Sequence, residues 1–117
     1  MSEKRSYLRV NKSFYLQFKI RGKEEVYEAT TYDISLGGIG FFSPVEINEN
    51  SILHIRMNVP GFDEALALRG IVRWKKKVDD KKTFLGVEFY NIDSKERDII
   101  LKSLREENAQ ENTNQIN

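Results

Sequence analysis

Cysteine is absent from this 117-residue chain. Its absence excludes disulfides, thiol nucleophiles and cysteine-ligated metals. Histidine is nearly absent: His54, inside "ILHIRMNV", stands alone, so a multi-histidine metal site is excluded too. No window approaches the run of about 18 apolar residues that a membrane span needs. The charged N-terminus is not followed by the apolar stretch of a secretory signal. A charge excess is also missing, since 19 basic residues face 18 acidic ones for a formal net charge of +1. Attraction to a polyanion must then come from local clustering, and a nucleic-acid track would show a larger basic excess. What remains is a soluble, cytoplasmic protein of one domain, without membrane insertion or a nucleic-acid polymer as partner. The length suffices for a single core.

Catalytic arrangements are missing as well. There is no Gly-x-Ser-x-Gly elbow, and the one histidine has no evident nucleophile beside it. Asp79 and Asp80 are neighbours in a turn while Asp33 stands alone. A phosphate loop needs a strand, a loop and then a helix, whereas Gly37, Gly38 and Gly40 run on into apolar strand-like sequence. The chain is not expected to be an enzyme, to hold a metal or to carry a cofactor.

What is present is a period of two. After a polar, basic arm over residues 1–10, Phe14, Leu16, Phe18 and Ile20 alternate with polar residues, as a half-buried strand does. Gly22 turns the chain into "VYEATTYDI", rich in β-branched and aromatic residues. "GIGFFS" follows and is closed by Pro44; "SILHIRMNV" alternates again and is broken by Pro60 and Gly61. Leu66, Leu68, Val72 and Trp74 share a parity in the fifth stretch, and Leu85, Val87 and Phe89 share one in the sixth, with "KVDDK" as the hairpin loop between them. Six strands on short turns predict a mainly β fold, a closed or nearly closed six-stranded antiparallel barrel, which leaves no exposed edge. The period then changes. "DSKERDIILKSLREEN" opens on Asp93 with Glu96 three residues on, a helix start, and Ile100 and Leu104 mark its inner face. The domain is expected over 11–107, with a polar, disordered tail over 108–117.

The residues suited to recognition are Lys4, Arg5 and Arg9 on the arm, and Asp33, Ser35, Gly37 and Gly38 in "DISLGG". Arginine presents a planar fork that matches phosphate oxygens or the O6/N7 edge of guanine. A carboxylate can accept from the N1–H and N2–H₂ edge of guanine, which arginine cannot. A serine hydroxyl can donate to phosphate, and glycine lets backbone N–H groups come close. Two forks, an acceptor, a hydroxyl and an accessible backbone are what a cyclic guanine dinucleotide calls for. A strand tryptophan is more often packing than ligand cover, so Trp74 is expected in or half in the core and counts as a secondary contact only. His54 is expected at the surface, and Lys75–Lys77, Lys81 and Lys82 are expected to solvate a hairpin tip.

"RSYLR" fits Arg-x-x-x-Arg at 5 and 9, and "DISLGG" fits Asp/Asn-x-Ser-x-x-Gly at 33, 35 and 38. With "GIVRW" at 70–74, "LGVEF" at 85–89 and the closing helix, the chain resembles the PilZ domain, the bacterial receptor module for cyclic di-GMP, over roughly residues 4 to 105. The resemblance implies a six-stranded split-type barrel with one C-terminal helix and a ligand on its outer surface. Arg5 and Arg9 would grip guanine edges and phosphates, Asp33 would hold the Watson–Crick edge, Ser35 would meet a phosphate or base, and Gly38 would allow close approach. Lys4 stands where many members have another arginine, and the family binds one ligand or an intercalated pair. It further implies a second-messenger adaptor whose arm is ordered by ligand and so presents a surface to a downstream protein partner. The protein itself is expected to be a monomer or weak dimer. Two alternatives are a PilZ-like interaction module that has lost its ligand and a small barrel binding single-stranded nucleic acid.

Overall fold

The structure, a computed structural model, describes residues 8–116, with side chains described as far as residue 105. The elements are β1 (Tyr15–Ile20), β2 (Tyr27–Ile34), β3 (Gly38–Ser43), β4 (Ile52–Met57), β5 (Leu66–Asp79), β6 (Lys82–Phe89) and α1 (Ser94–Ile116). Every strand pairing is antiparallel, and the order β1-β2-β3-β6-β5-β4 closes on itself as a barrel. Closure removes the unpaired N–H and C=O groups that an open sheet would expose.

The period of two becomes the inside and outside of that barrel. Leu16, Phe18, Leu53, Ile55, Leu85 and Val72 are all essentially without solvent contact. Each such side chain contributes about 1.5–3 kcal/mol relative to an exposed one. Gly22 takes the left-handed conformation the first turn needs, at φ +87°. The last hairpin is tighter than "KVDDK" suggested. Paired residues extend to Asp79 and resume at Lys82, and the Asp79 carboxylate accepts from the N–H groups of Lys81 and Lys82 at 2.7 and 3.0 Å. That local bond satisfies the turn, so both strands can run further out.

The helix begins as its sequence dictates. Asp93 N–H donates to Glu96 Oε1 at 3.0 Å and Glu96 N–H donates to Asp93 Oδ1 at 2.9 Å, a reciprocal capping box. Ile100 and Leu104 are buried in the barrel's own core cluster. Lys12, just before β1, donates to the Ser103 carbonyl at 2.6 Å and holds the helix to that end of the barrel. The helical backbone continues to Ile116, well past the expected stop near 107. No glycine or proline interrupts "NAQENTNQI" to end it. Among the described residues no helix is long and apolar enough to cross a membrane.

Candidate functional site

Strand β2 alternates faithfully until Thr31, with Tyr27, Ala29 and Thr31 turned inward. Its register with β3 then slips: Thr31 pairs with Phe41, but Asp33 pairs with Gly40. One residue too many on β2 is a β-bulge, which re-aims the side chains beyond it. Asp33, on the inward parity by simple alternation, faces out; Ile34 takes the buried place. The same device recurs on β5. Leu66, Leu68 and Val72 point inward, yet Val72 pairs with Val87 and Trp74 with Gly86, so one residue is again in excess. Trp74 shares a parity with the core residues, and its expected place is in or half in the core. It lies outside instead, 45% exposed, because the bulge reverses the alternation.

The two bulges serve one row. Across the outer face, Asp33 pairs with Gly40, Gly40 with Gly86, and Gly86 with Trp74. The two glycines leave the middle of the row without side chains. The Trp74 indole lies flat on Gly86, where a Cβ would meet it at 2.3 Å. Beside Gly40 stand the Phe84 ring and Asp33 Oδ1, which a Cβ would meet at 2.8 and 2.9 Å. An acid at one end, the Phe84 ring over Gly40 in the middle and the indole over Gly86 at the other make a shallow, aromatic-topped platform for a flat polar molecule.

Arg9 completes the acidic end. The segment before β1 is fixed to β2 at two points. Val10 exchanges backbone hydrogen bonds with Ile34, both 2.9 Å, while the Phe14 carbonyl accepts from the Thr31 N–H at 2.9 Å and the Phe14 N–H donates to the Thr31 hydroxyl at 2.8 Å. Arg9 is thereby brought to Asp33, with Nη1 donating to Oδ1 at 2.8 Å. The arm expected to be free over 1–10 is thus anchored at its end, because Val10 is bridged to β2. Lys4 and Arg5 lie outside the described residues. The ion pair uses one oxygen of Asp33 and one nitrogen of Arg9, so each retains hydrogen-bonding capacity for a ligand. Next to the row, Arg73 Nε donates to Glu88 Oε1 at 2.6 Å.

Ser35, Gly37 and Gly38 are close to Asp33 in sequence but turn into the fold. Ser35 is 3% exposed. Its hydroxyl accepts from the Gly37 N–H at 3.1 Å and donates to the Gly38 carbonyl at 3.4 Å, and its own N–H donates to that carbonyl at 2.9 Å. The hydroxyl is spent on closing the β2–β3 turn. The Gly37 carbonyl accepts from Phe89 N–H at 2.8 Å, tying the turn to β6. At Gly38 the close approach is made by the protein itself, since a Cβ would come within 2.1 Å of the Val87 carbonyl.

Gly40 is noted in the sequence only as running on into a strand, and Gly86 and Phe84 are not singled out there at all. A lone glycine inside an alternating strand was the available signal, for it marks a bulge or a close approach. On the far side of the barrel, between the β1–β2 turn and β4, lies a groove of about 780 Å³ lined in part by Lys19, Lys23, His54 and Arg56. His54 is at the surface there, half-buried, as expected. Among the described residues no group of three or more His, Asp or Glu is placed to hold a metal ion.

The family model described as "PilZ domain" matches residues 3–106. Among solved structures, the PilZ domain of Escherichia coli YcgR with c-di-GMP is similar at a TM-score of 0.69 and 20% identity, covering 94% of this chain and 98% of that one. The Bacillus subtilis inhibitor of motility MotI/DgrA is similar at 0.71 and 18%, covering 91% of this chain. K. pneumonia MrkH, in its complex with c-di-GMP, is similar at 0.72 and 11%, covering 96%. The chain spans about half the length of the latter two, 52% and 55%. A comparison with curated proteins found no match. At these identities the likeness to solved structures establishes the fold.

Proposed function

We infer the function from one premise: this chain belongs to the PilZ domain family, whose model covers nearly all of the barrel and the start of its helix. The proposed ligand is cyclic di-GMP, and the output is a binding event with no reaction. The Arg9–Asp33 pair at the end of the glycine-floored row carries this reading. Asp33 accepts from the Watson–Crick edge of a guanine through the oxygen Arg9 leaves unused. Arg9 offers its remaining donors to a phosphate or to the O6/N7 edge. The guanine ring extends from Asp33 across the Phe84 ring that covers Gly40 towards Trp74, whose indole, already on Gly86, supplies stacking. Lys4 and Arg5 add charge from the N-terminal segment and are drawn onto the barrel by a doubly anionic ligand. Ser35, Gly37 and Gly38 support Asp33 by shaping the turn. The ligand-bound surface is then read by a protein partner. An interaction module that had lost its ligand would have no use for a carboxylate and guanidinium held together on the outer wall.

Titration calorimetry with cyclic di-GMP tests this. Saturable binding is expected for the wild type. In Asp33→Ala and Arg9→Ala it weakens by about 10- to 150-fold, the loss of a charge-assisted hydrogen bond of about 1.5–3 kcal/mol, while circular dichroism shows the barrel intact. Arg5→Ala measures the contribution of the N-terminal segment, and the stoichiometry distinguishes one ligand from an intercalated pair. A wild-type protein that takes up no cyclic di-GMP refutes the function. Undiminished binding by Asp33→Ala refutes the site.

A further inference from the structure

The outer wall formed by β2, β3, β6 and β5 carries more aromatic ring than a solvated surface needs. Tyr32, Phe42, Phe84 and Trp74 form a chain of contacts. Ring centroids are 6.1 Å apart for Tyr32–Phe42, 5.8 Å for Tyr32–Phe84, 4.7 Å for Phe42–Phe84 and 5.5 Å for Trp74–Phe84. Tyr32 is 52% exposed and Phe42 39%. Rings laid over strand glycines stabilise a sheet, which accounts for Trp74 on Gly86 and Phe84 beside Gly40. It does not account for Tyr32 and Phe42, whose atoms are not among those nearest either glycine. A contiguous exposed apolar patch of this kind marks an interaction site.

Its rim is positive. Lys76 pairs in register with Phe84, and Lys82 Nζ stands 5.2 Å from the Phe42 ring centre. Lys77 and Lys81 complete the hairpin tip. Of the two acids there, Asp79 is spent on the backbone of Lys81 and Lys82. An aromatic centre inside a charged rim is the anatomy of a protein interface. Nucleic acid fits it less well, because base stacking needs ring faces. The Tyr32, Phe42 and Phe84 planes meet at 80°, 87° and 64°, which turns edges towards neighbouring faces.

We propose that this strip docks an acidic segment of a partner protein, whose aliphatic or aromatic anchors cover Tyr32 and Phe42 while its carboxylates meet Lys76 and Lys82. The strip ends where the ligand row begins, since Phe84 lies against Gly40 beside Asp33 and Trp74 against Gly86. Resting on the ligand reading above, the guanine and the partner thus share Phe84 and Trp74, and each alters the other's affinity by the same factor.

The test uses the whole chain and three probes: a short synthetic peptide alternating Glu with Leu and Phe, its counterpart with Lys for Glu, and an oligouridylate. In NMR titrations the acidic peptide shifts the ring resonances of Tyr32, Phe42, Phe84 and Trp74, and its binding weakens with added salt. Phe42→Ser reduces affinity at least about tenfold, as loss of a central anchor does. Lys82→Glu reduces it further at low salt. Arg56→Ala, on the far groove, leaves it unchanged, and thermal melts confirm that each variant is folded. Equal binding of the acidic and basic peptides, shifts centred on the far groove, or no shifts at all overturn the proposal. So do tighter binding of oligouridylate at the strip and a self-association abolished by Phe42→Ser, which would make the occupant RNA or a second copy. Repeating the titration with cyclic di-GMP present reads the coupling. If the dinucleotide itself fails to bind, the peptide data still decide the docking surface.

Discussion

The bulges on β2 and β5 do the same mechanical work and deliver opposite chemistry. Each inserts one residue, reverses the alternation and sends outward a side chain that strict parity would bury. On β2 the result is a carboxylate already engaged by Arg9. On β5 it is an indole lying on a bare glycine. The polar end is ordered by an ion pair and the aromatic end by contact alone. In the proposed binding mode recognition is divided accordingly, with hydrogen-bond direction at Asp33 and stacking area at Trp74. The two ends meet across Gly40 and Gly86 and the Phe84 ring between them, so substitutions at the glycines separate one end from the other.

The largest effect is expected at Gly38, which sets the spacing of β3 against β6 beneath the polar end. In Gly38→Val the new Cβ meets a backbone carbonyl, which cannot swing away. The expected loss is about 3 kcal/mol or more, read as a lowered urea midpoint. Gly86→Ala separates the ends more cleanly. Its Cβ meets only the Trp74 side chain, which can move into solvent. Stability should change by less than about 1 kcal/mol, while tryptophan emission shifts to the red and ligand affinity falls roughly tenfold with the lost stacking. An unshifted emission would mean that the indole does not rest on Gly86.

Ser35→Ala sharpens the polar end. Removing a hydroxyl that closes the turn should cost about 1 kcal/mol in thermal unfolding and leave the affinity of the folded protein within about twofold. A collapse in affinity at unchanged stability would show instead that the hydroxyl meets ligand. The smallest effect lies at the root of the β5–β6 hairpin. There Lys75 Nζ donates to Glu46 Oε2 at 3.0 Å, and that hydrogen bond, with the lysine's charge, lowers the Glu46 carboxyl from its ordinary value. A carboxyl lowered in the folded state contributes fully above its unfolded value, and the contribution disappears as pH falls through the folded one. The melting temperatures of wild type and Glu46→Gln should therefore differ slightly at neutral pH and converge in acid.

Much of this arrangement follows from local pattern. The strands follow the period of two, the capping box follows Asp93 and Glu96, and the motif pair supplies Arg9 and Asp33 as complementary charges. Alternation and capping are properties of neighbouring residues, so neighbouring residues suffice to read them. The places where that reasoning fails are places where a distant strand decides. Parity alone groups Trp74 with Leu66, Leu68 and Val72 because it is blind to a bulge, and the bulge exists only in the pairing of β5 with β6. The hydrogen bonds of the Ser35 hydroxyl to Gly37 and Gly38 are likewise set by how the turn folds back and not by the residue type. Gly38 opens space that the Val87 carbonyl fills.

Short spacings along the chain write the six strands, the helix start and the two motifs of the family, because each depends only on neighbouring residues. Which of those residues reach the outer wall depends on the closed barrel. Barrel closure sets one register for all six strands, and two slips in that register put Asp33 and Trp74 at the two ends of one row.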